Sequence, residues 1–260
     1  MSTKSLIWEK VEPQGDVEGI LVGFYIGGMA RVRASEEFKN FIHVDMIDRP
    51  NSYYRVGDGG VFRDPQRYCG ELAEYAESVG VGMDRVMTWG SSRGATMALA
   101  VGMNLGVRCV FAAGPQINAI ADISYVKQHG LQGVASPGRA REEARFVNAI
   151  YNSVRSKKMD REEFFTALQG LDLASVMLRS NQPLPRIFIL IGAQNKADNY
   201  GVQQIEAAAR SMASPVWVYR FPTRNHAILA DYKPRYISWL RSVFDNEPPK
   251  INGVEVTAIP

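Results

Sequence analysis

The apolar residues of the chain concentrate in about six short, nearly continuous runs, a pattern typical of strands that are buried on both faces. The runs span residues 19–26, 40–47, 86–89, 107–113, 186–191 and 215–221, and most are rich in Val, Ile or Phe. Residues 6–11 form a weaker apolar segment that we interpret as an edge strand. The pattern therefore predicts a central β-sheet.

Helical periodicity occupies the segments between these runs. Asp64-Pro65 is a helix-start signal for a helix that ends near Gly80, and the Ala-rich segment 95–105 favours a second helix. Residues 200–211 and 234–244 predict two more. Strands that alternate with helices at this spacing need crossover connections. The prediction is an α/β fold with a mostly parallel sheet and helices on both faces.

The alternation stops between residues 118 and 185, where about three helical segments and no convincing strand are expected. These segments are residues 139–154, a helix starting at Asp160, and residues 172–178. We predict a core of residues 1–117 and 186–260 with a helical insert at 118–185. The basic residues of the insert are interpreted as a solvated face, with an anionic substrate as the alternative. The tail from 245 to 260 is predicted to be irregular.

Composition excludes several classes of protein. The 260 residues are 46% apolar and 22% charged, which is ordinary for a globular protein. A net charge of +3 is too small to indicate binding to nucleic acid or to an anionic membrane. No apolar run approaches the roughly 20 residues of a membrane helix, and no secretory segment is evident. We expect a cytoplasmic protein whose two cysteines are buried free thiols, and it could form a homo-oligomer.

A G-x-S-x-G motif marks the candidate chemistry. Gly90-Ser91-Ser92-Arg93-Gly94 lies between an apolar run and a helical segment. Glycines at these positions allow a sharp strand-to-helix turn that projects one serine hydroxyl from the backbone. Ser92 would then lie at a helix N-terminus, where amide N–H groups face any anion formed beside it. Ser92 is the candidate nucleophile.

A serine nucleophile needs an imidazole to take its proton and an acid to orient that imidazole. Of the three histidines, His43 and His129 are interpreted as structural, whereas His226 follows the last apolar run. Asp198 lies in a polar loop after the preceding run and is the candidate acid. Two other aspartates, Asp48 and Asp231, are its alternatives.

With the order Ser92, Asp198, His226, the chain resembles the α/β-hydrolase superfamily over residues 15–245. The resemblance implies a nucleophile, an orienting acid and a general base, in that order, and no metal or cofactor. The N-terminal strands common in that superfamily are reduced here. Residues 92–95 and Gly114-Pro115-Gln116 also resemble hydrolase-like proteins of bacterial polysaccharide and glycan modification.

The superfamily further implies an oxyanion hole of backbone amides. Arg93 would supply one, and Gly28 or Met29 the other, although the chain lacks the His-Gly dipeptide of many lipases. The side chain of Arg93 could bind a carboxylate or phosphate of the substrate, or pair with a nearby acid. Tyr53 and Tyr54 are candidates for the pocket wall, with packing on the core as the alternative.

These features predict a serine hydrolase that cleaves an ester, thioester or similar acyl bond of a small molecule or glycan. The same residues would also suit an acyltransferase that uses a sugar or amine acceptor. A third alternative is a module that kept the fold and only binds a partner, because fold does not dictate function.

Overall fold

An eight-stranded β-sheet forms the centre of the structure, a computed structural model that describes residues 8–24, 30–46, 65–115, 173–180, 182–232 and 235–260. The strands are β1 (Trp8–Val11), β2 (Gly19–Phe24), β3 (Phe41–Met46), β4 (Val86–Ser91), β5 (Cys109–Ala113), β6 (Arg186–Gly192), β7 (Val216–Phe221) and β8 (Glu255–Ile259). Their order across the sheet is β1-β3-β2-β4-β5-β6-β7-β8.

The strands from β3 to β7 in this order run parallel, and only the two edge strands are antiparallel. The carboxyl ends of the parallel strands therefore meet at one edge of the sheet. In open parallel sheets this is the edge at which ligands bind.

Helices cover both faces of the sheet. They are α1 (Ala30–Arg33), α2 (Pro65–Ser78), α3 (Arg93–Leu105), α4 (Leu173–Leu178), α5 (Lys196–Met212), α6 (Ile228–Asp231) and α7 (Tyr236–Phe244). Helices α2, α3, α4 and α5 contribute buried side chains to one apolar cluster, and α6 and α7 contribute to another. Successive residues of one strand divide between the clusters, with Ile187 in the first and Phe188 in the second. The sheet is thus buried on both faces, which explains why its central strands are continuously apolar.

The predicted parallel sheet is confirmed, with six parallel strands at the positions of the six apolar runs. Two expectations were wrong. The tail is not irregular throughout, because Glu255–Ile259 forms β8 and pairs antiparallel with β7. Helix α5 begins at Lys196 rather than near residue 200, because the side chain of Asn195 accepts a hydrogen bond from the amide of Asp198 and caps the helix.

Most of the predicted helical insert, residues 118–172, lies outside the described residues, and α4 matches the last predicted segment. Cys69 and Cys109 are free and buried, as expected. Within the described ranges, no helix has the length and apolar character needed to cross a membrane.

Candidate active site

Ser92 occupies a strained turn between β4 and α3. Its backbone has φ 56° and ψ −123°, a conformation that L-residues rarely adopt. The turn is tight enough that a Cβ on Gly90 would lie 2.3 Å from the carbonyl carbon and oxygen of Gly94. The amide of Ser92 donates to the carbonyl of Ala113 at 2.8 Å, which ties the turn to the end of β5. This geometry explains why glycine stands at position 90.

His226 lies in the segment that follows β7 and reaches back to the serine. Its Nε2 is 2.9 Å from Oγ of Ser92, although 134 residues separate the two in the chain. Gly114 packs against the same ring, and a Cβ on this glycine would lie 3.2 Å from both Nδ1 and Cε1 of His226. Gly114 also has φ 58°. The end of β5 therefore borders both the serine turn and the imidazole.

Asp198 lies in the first turn of α5, with its carboxylate against the other ring nitrogen. Nδ1 of His226 is 3.1 Å from Oδ1 and 3.0 Å from Oδ2 of this residue. The side chain of Asp198 is 6% exposed, whereas that of His226 is 31% exposed. The acid is thus buried behind the imidazole, and the imidazole is accessible.

The contacts fix the hydrogen-bond directions in the neutral histidine. An ionised carboxylate only accepts hydrogen bonds, so Nδ1–H of His226 donates to Asp198. Nε2 then carries the lone pair and accepts from the hydroxyl of Ser92. The result is a hydrogen-bonded chain from hydroxyl to imidazole to carboxylate, an arrangement that allows an imidazole to take the hydroxyl proton.

The amide of Arg93 is the first amide of α3, and the amides of a helix's first turn point out of its N-terminal end. This position is consistent with the predicted role of Arg93 beside the nucleophile. The other predicted oxyanion and pocket residues, Gly28, Met29, Tyr53 and Tyr54, lie outside the described residues.

Among the alternative acids and histidines, those that the structure describes have other hydrogen-bond partners than Ser92, Asp198 and His226. Asp231 is exposed and accepts a hydrogen bond from Asn225 at 2.6 Å. His43 is buried in β3, and its Nε2 lies 3.0 Å from the carbonyl oxygen of Phe38. Burial lowers the pKa of His43. The remaining alternatives, Asp48 and His129, lie outside the described residues.

The positions of two residues that border the site were not foreseen, those of Asn195 and Gly114. Asn195 caps α5 and so orients the turn that carries Asp198. Its sequence signal was present, since an Asn with an Asp three residues later is typical of a helix start. The position of Gly114 against the imidazole has no comparable local signal, because it depends on a contact between distant segments.

Metal ligands do not cluster in the part of the chain that the structure describes, where no group of three or more His, Cys, Asp or Glu side chains is placed to hold an ion.

At the level of sequence, the chain matches no family model and no curated protein. Solved structures do match. The capsule O-acetyltransferase of Neisseria meningitidis serogroup A superimposes with a TM-score of 0.60 at 11% identity, over 95% of this chain and 94% of that chain. A hyperthermophilic esterase from Pyrobaculum calidifontis superimposes with a TM-score of 0.57 at 13% identity, over 94% of this chain and 86% of that chain. A hormone-sensitive lipase from a metagenome library superimposes with a TM-score of 0.56 at 10% identity, over 95% of this chain and 88% of that chain.

The chain has the α/β-hydrolase fold. In an α/β-hydrolase fold the nucleophile stands on a sharp turn between a central strand and a helix, and the acid and histidine follow later strands. Ser92 after β4, Asp198 after β6 and His226 after β7 occupy these places. Their side chains meet at the carboxyl edge of the parallel strands.

Proposed function

We propose that the protein is a serine hydrolase that cleaves an ester, thioester or similar acyl bond through an acyl-enzyme on Ser92. The observation that carries the proposal is the hydrogen-bonded chain from Oγ of Ser92 through His226 to Asp198. The strained backbone of Ser92 supports it, because strain of this kind concentrates at functional sites.

In the first step, Oγ of Ser92 attacks the carbonyl carbon of the substrate while Nε2 of His226 takes the hydroxyl proton. The carbonyl oxygen becomes an oxyanion, and the amide of Arg93 donates a hydrogen bond to it. Each donor of this kind typically contributes roughly 3 kcal/mol to the transition state. The bond to the leaving group then breaks, and the leaving oxygen or sulfur takes the proton from His226.

In the second step, water attacks the acyl-enzyme and His226 takes its proton. The ester bond to Ser92 breaks, the carboxylic acid leaves, and the proton returns to Oγ. The carboxylate of Asp198 stabilises the imidazolium that forms in both steps. Because this carboxylate is buried and the ring is partly exposed, the proton transfers take place on the accessible side of the histidine.

Labelling with a fluorophosphonate probe tests the proposal, because the probe reacts readily with an activated serine hydroxyl and not with an ordinary one. Wild-type protein should be labelled, and Ser92→Ala should not. Ser91→Ala is a matched control, since it removes the neighbouring hydroxyl of the same motif and should still be labelled. A folded wild-type protein that is never labelled would refute the hydrolase and the acyl-enzyme together.

A second candidate is an acyltransferase that passes the acyl group from Ser92 to a sugar hydroxyl. The structural match to a capsule O-acetyltransferase, with a TM-score of 0.60, is the reason for considering this candidate. The two reactions share the acyl-enzyme and differ in what attacks it. Release of acetate from an activated acetyl ester, measured with and without oligosaccharide acceptors, separates them. A transferase should form acetylated sugar at the expense of free acetate.

A further inference from the structure

The segments that carry Asp198 and His226 are joined by backbone hydrogen bonds. Immediately after β6, the amide of Ala193 donates to the carbonyl of Phe221 at 2.7 Å, and the amide of Gln194 donates to the carbonyl of Thr223 at 3.1 Å. Gly192 lies so close to the histidine segment that a Cβ there would be 2.6 Å from the carbonyl oxygen of Thr223. The turn at residues 192–195 therefore couples the position of the acid to that of the base.

Asn199, the residue after Asp198, holds this turn closed. Its Nδ2 lies 2.9 Å from the carbonyl oxygen of Gly192, 3.1 Å from that of Ala193 and 2.8 Å from that of Asn195. These three carbonyls line the turn between β6 and α5. One side-chain amide thus lies within hydrogen-bond distance of three of the four carbonyls of the turn. Asn195 in turn caps the amide of Asp198.

The other end of the Asn199 side chain is fixed by Arg220 of β7. Nε of Arg220 donates to Oδ1 of Asn199 at 3.3 Å, and Nη2 donates to Glu206 of α5 at 2.9 Å. Nη1 donates to Oγ1 of Thr257 in β8 at 2.8 Å. The side chains of Arg220 and Glu206 are 13% and 7% exposed, so solvent screens this ion pair little.

We propose that Asn199, clamped by Arg220, is a positioning residue that fixes Asp198 relative to His226. The assignment uses a property specific to a carboxamide, which accepts a hydrogen bond at its oxygen and donates at its nitrogen. An arginine only donates and a carbonyl only accepts, so position 199 needs an acceptor facing Arg220 and a donor facing the turn. As an account of catalysis, the proposal rests on the proposed function.

Asn199→Asp tests the clamp with almost no change in shape. The aspartate keeps the acceptor for Arg220, but it loses the donor and places a negative charge beside three carbonyl oxygens. We expect kcat and the rate of fluorophosphonate labelling to fall by about 10²-fold with KM little changed, as a small misplacement of catalytic groups allows. Arg220→Lys should have a smaller effect in the same direction, and it replaces the first variant if Asn199→Asp does not fold.

The matched control is Arg241→Met. Arg241 is also a partly buried arginine in ion pairs, with Glu18 at 2.7 Å and Asp245 at 2.8 Å, but it lies toward the amino ends of the strands. This variant should lose thermal stability and keep kcat. If Asn199→Asp and Arg220→Lys lose stability as Arg241→Met does and keep the wild-type kcat and labelling rate, the clamp is purely structural and the proposal is overturned.

A second readout does not need activity. The proton on Nδ1 of His226, shared with Asp198, should give a far-downfield proton NMR signal that is absent from His226→Gln. The signal should weaken or disappear in Asn199→Asp and persist in Arg241→Met. If wild-type protein is not labelled but the signal behaves in this way, the proposed function fails and the clamp stands. An unchanged signal in both clamp variants overturns the clamp alone.

Discussion

Gly114 lies directly against the ring of His226. A Cβ added to Gly114 would be 2.6 Å from the carbonyl oxygen of His226 and 3.2 Å from two atoms of its imidazole. These distances are shorter than ordinary van der Waals contact, so a side chain at position 114 would require Gly114 or the histidine segment to shift. The absence of a side chain at the end of β5 thus allows the close contact between His226 and Ser92.

Gly114→Ala should reduce kcat by about 10²-fold, because a small displacement of a general base has a large effect on rate. The positive φ of 58° at position 114 adds backbone strain to the alanine variant. Gly80→Ala is the matched control, since Gly80 has φ 70° and a Cβ added there would meet no atom of the described residues within 4 Å. The control should lose stability through strain alone and retain kcat. Equal loss of activity in both variants would show that strain, not contact with His226, is responsible.

Asp198→Asn should reduce kcat by about 10⁴-fold, the loss that follows when the orienting acid of such a triad is replaced by its amide. The amide can donate to Nδ1 of His226, which moves the ring proton to Nε2 and leaves no lone pair for the hydroxyl of Ser92. The measurement is the rate of ester hydrolysis.

The control for this variant is Asp231→Asn, which changes the aspartate nearest to His226 in sequence among the alternatives. Asp231 is exposed and bonds to Asn225, so its replacement should leave the rate within a few-fold of wild type. A large loss in Asp231→Asn with little loss in Asp198→Asn would reverse the assignment of the acid.

The sequence was sufficient to predict the parallel strands and to select Ser92, Asp198 and His226 as candidates, because each has a local signal. Buried parallel strands are continuously apolar, and a glycine-flanked serine after such a strand is recognisable. The candidate acid and base were selected by asking which polar residues follow apolar runs, and the structure places their side chains in contact.

Strand β8 and the Asn199 clamp had no local signal. Only Ile259 of β8 is buried, so its pattern reflects an edge position rather than an apolar run. Arg220 interrupts an apolar strand, and the sequence alone does not show that Asn199, Glu206 and Thr257 surround its guanidinium. Such a network depends on the order of the strands.

Both cysteines should be unreactive in the native protein. Cys69 and Cys109 are buried, and burial raises the pKa of the Cys109 thiol to about 12. The thiolate is the reactive form, so alkylation of native protein at pH 8 should be negligible. Two thiols should react after unfolding in guanidinium chloride. Rapid modification of a native cysteine would contradict the burial of that strand or helix.

The protein should lose stability at acid pH partly through His43. This ring is buried in β3, its Nε2–H donates to the carbonyl of Phe38, and burial, with a smaller effect of the nearby Arg33, lowers its pKa below the ordinary value of 6.5. The unfolded chain therefore binds a proton at a higher pH than the folded protein does. The stabilisation is complete above pH 6.5 and is lost as pH falls from there through the folded-state pKa.

His43→Gln isolates this contribution, because glutamine can still donate toward Phe38 and does not titrate in this range. The measurement is the urea midpoint of unfolding at pH 7.5 and pH 5.5 for both proteins. The wild-type midpoint should fall more between the two values than that of the variant, since only the wild type has to protonate a buried ring. Equal falls of the urea midpoint in the two proteins would mean that the acid sensitivity arises elsewhere. Because glutamine can still donate to Phe38, loss of that hydrogen bond would not explain a difference between them.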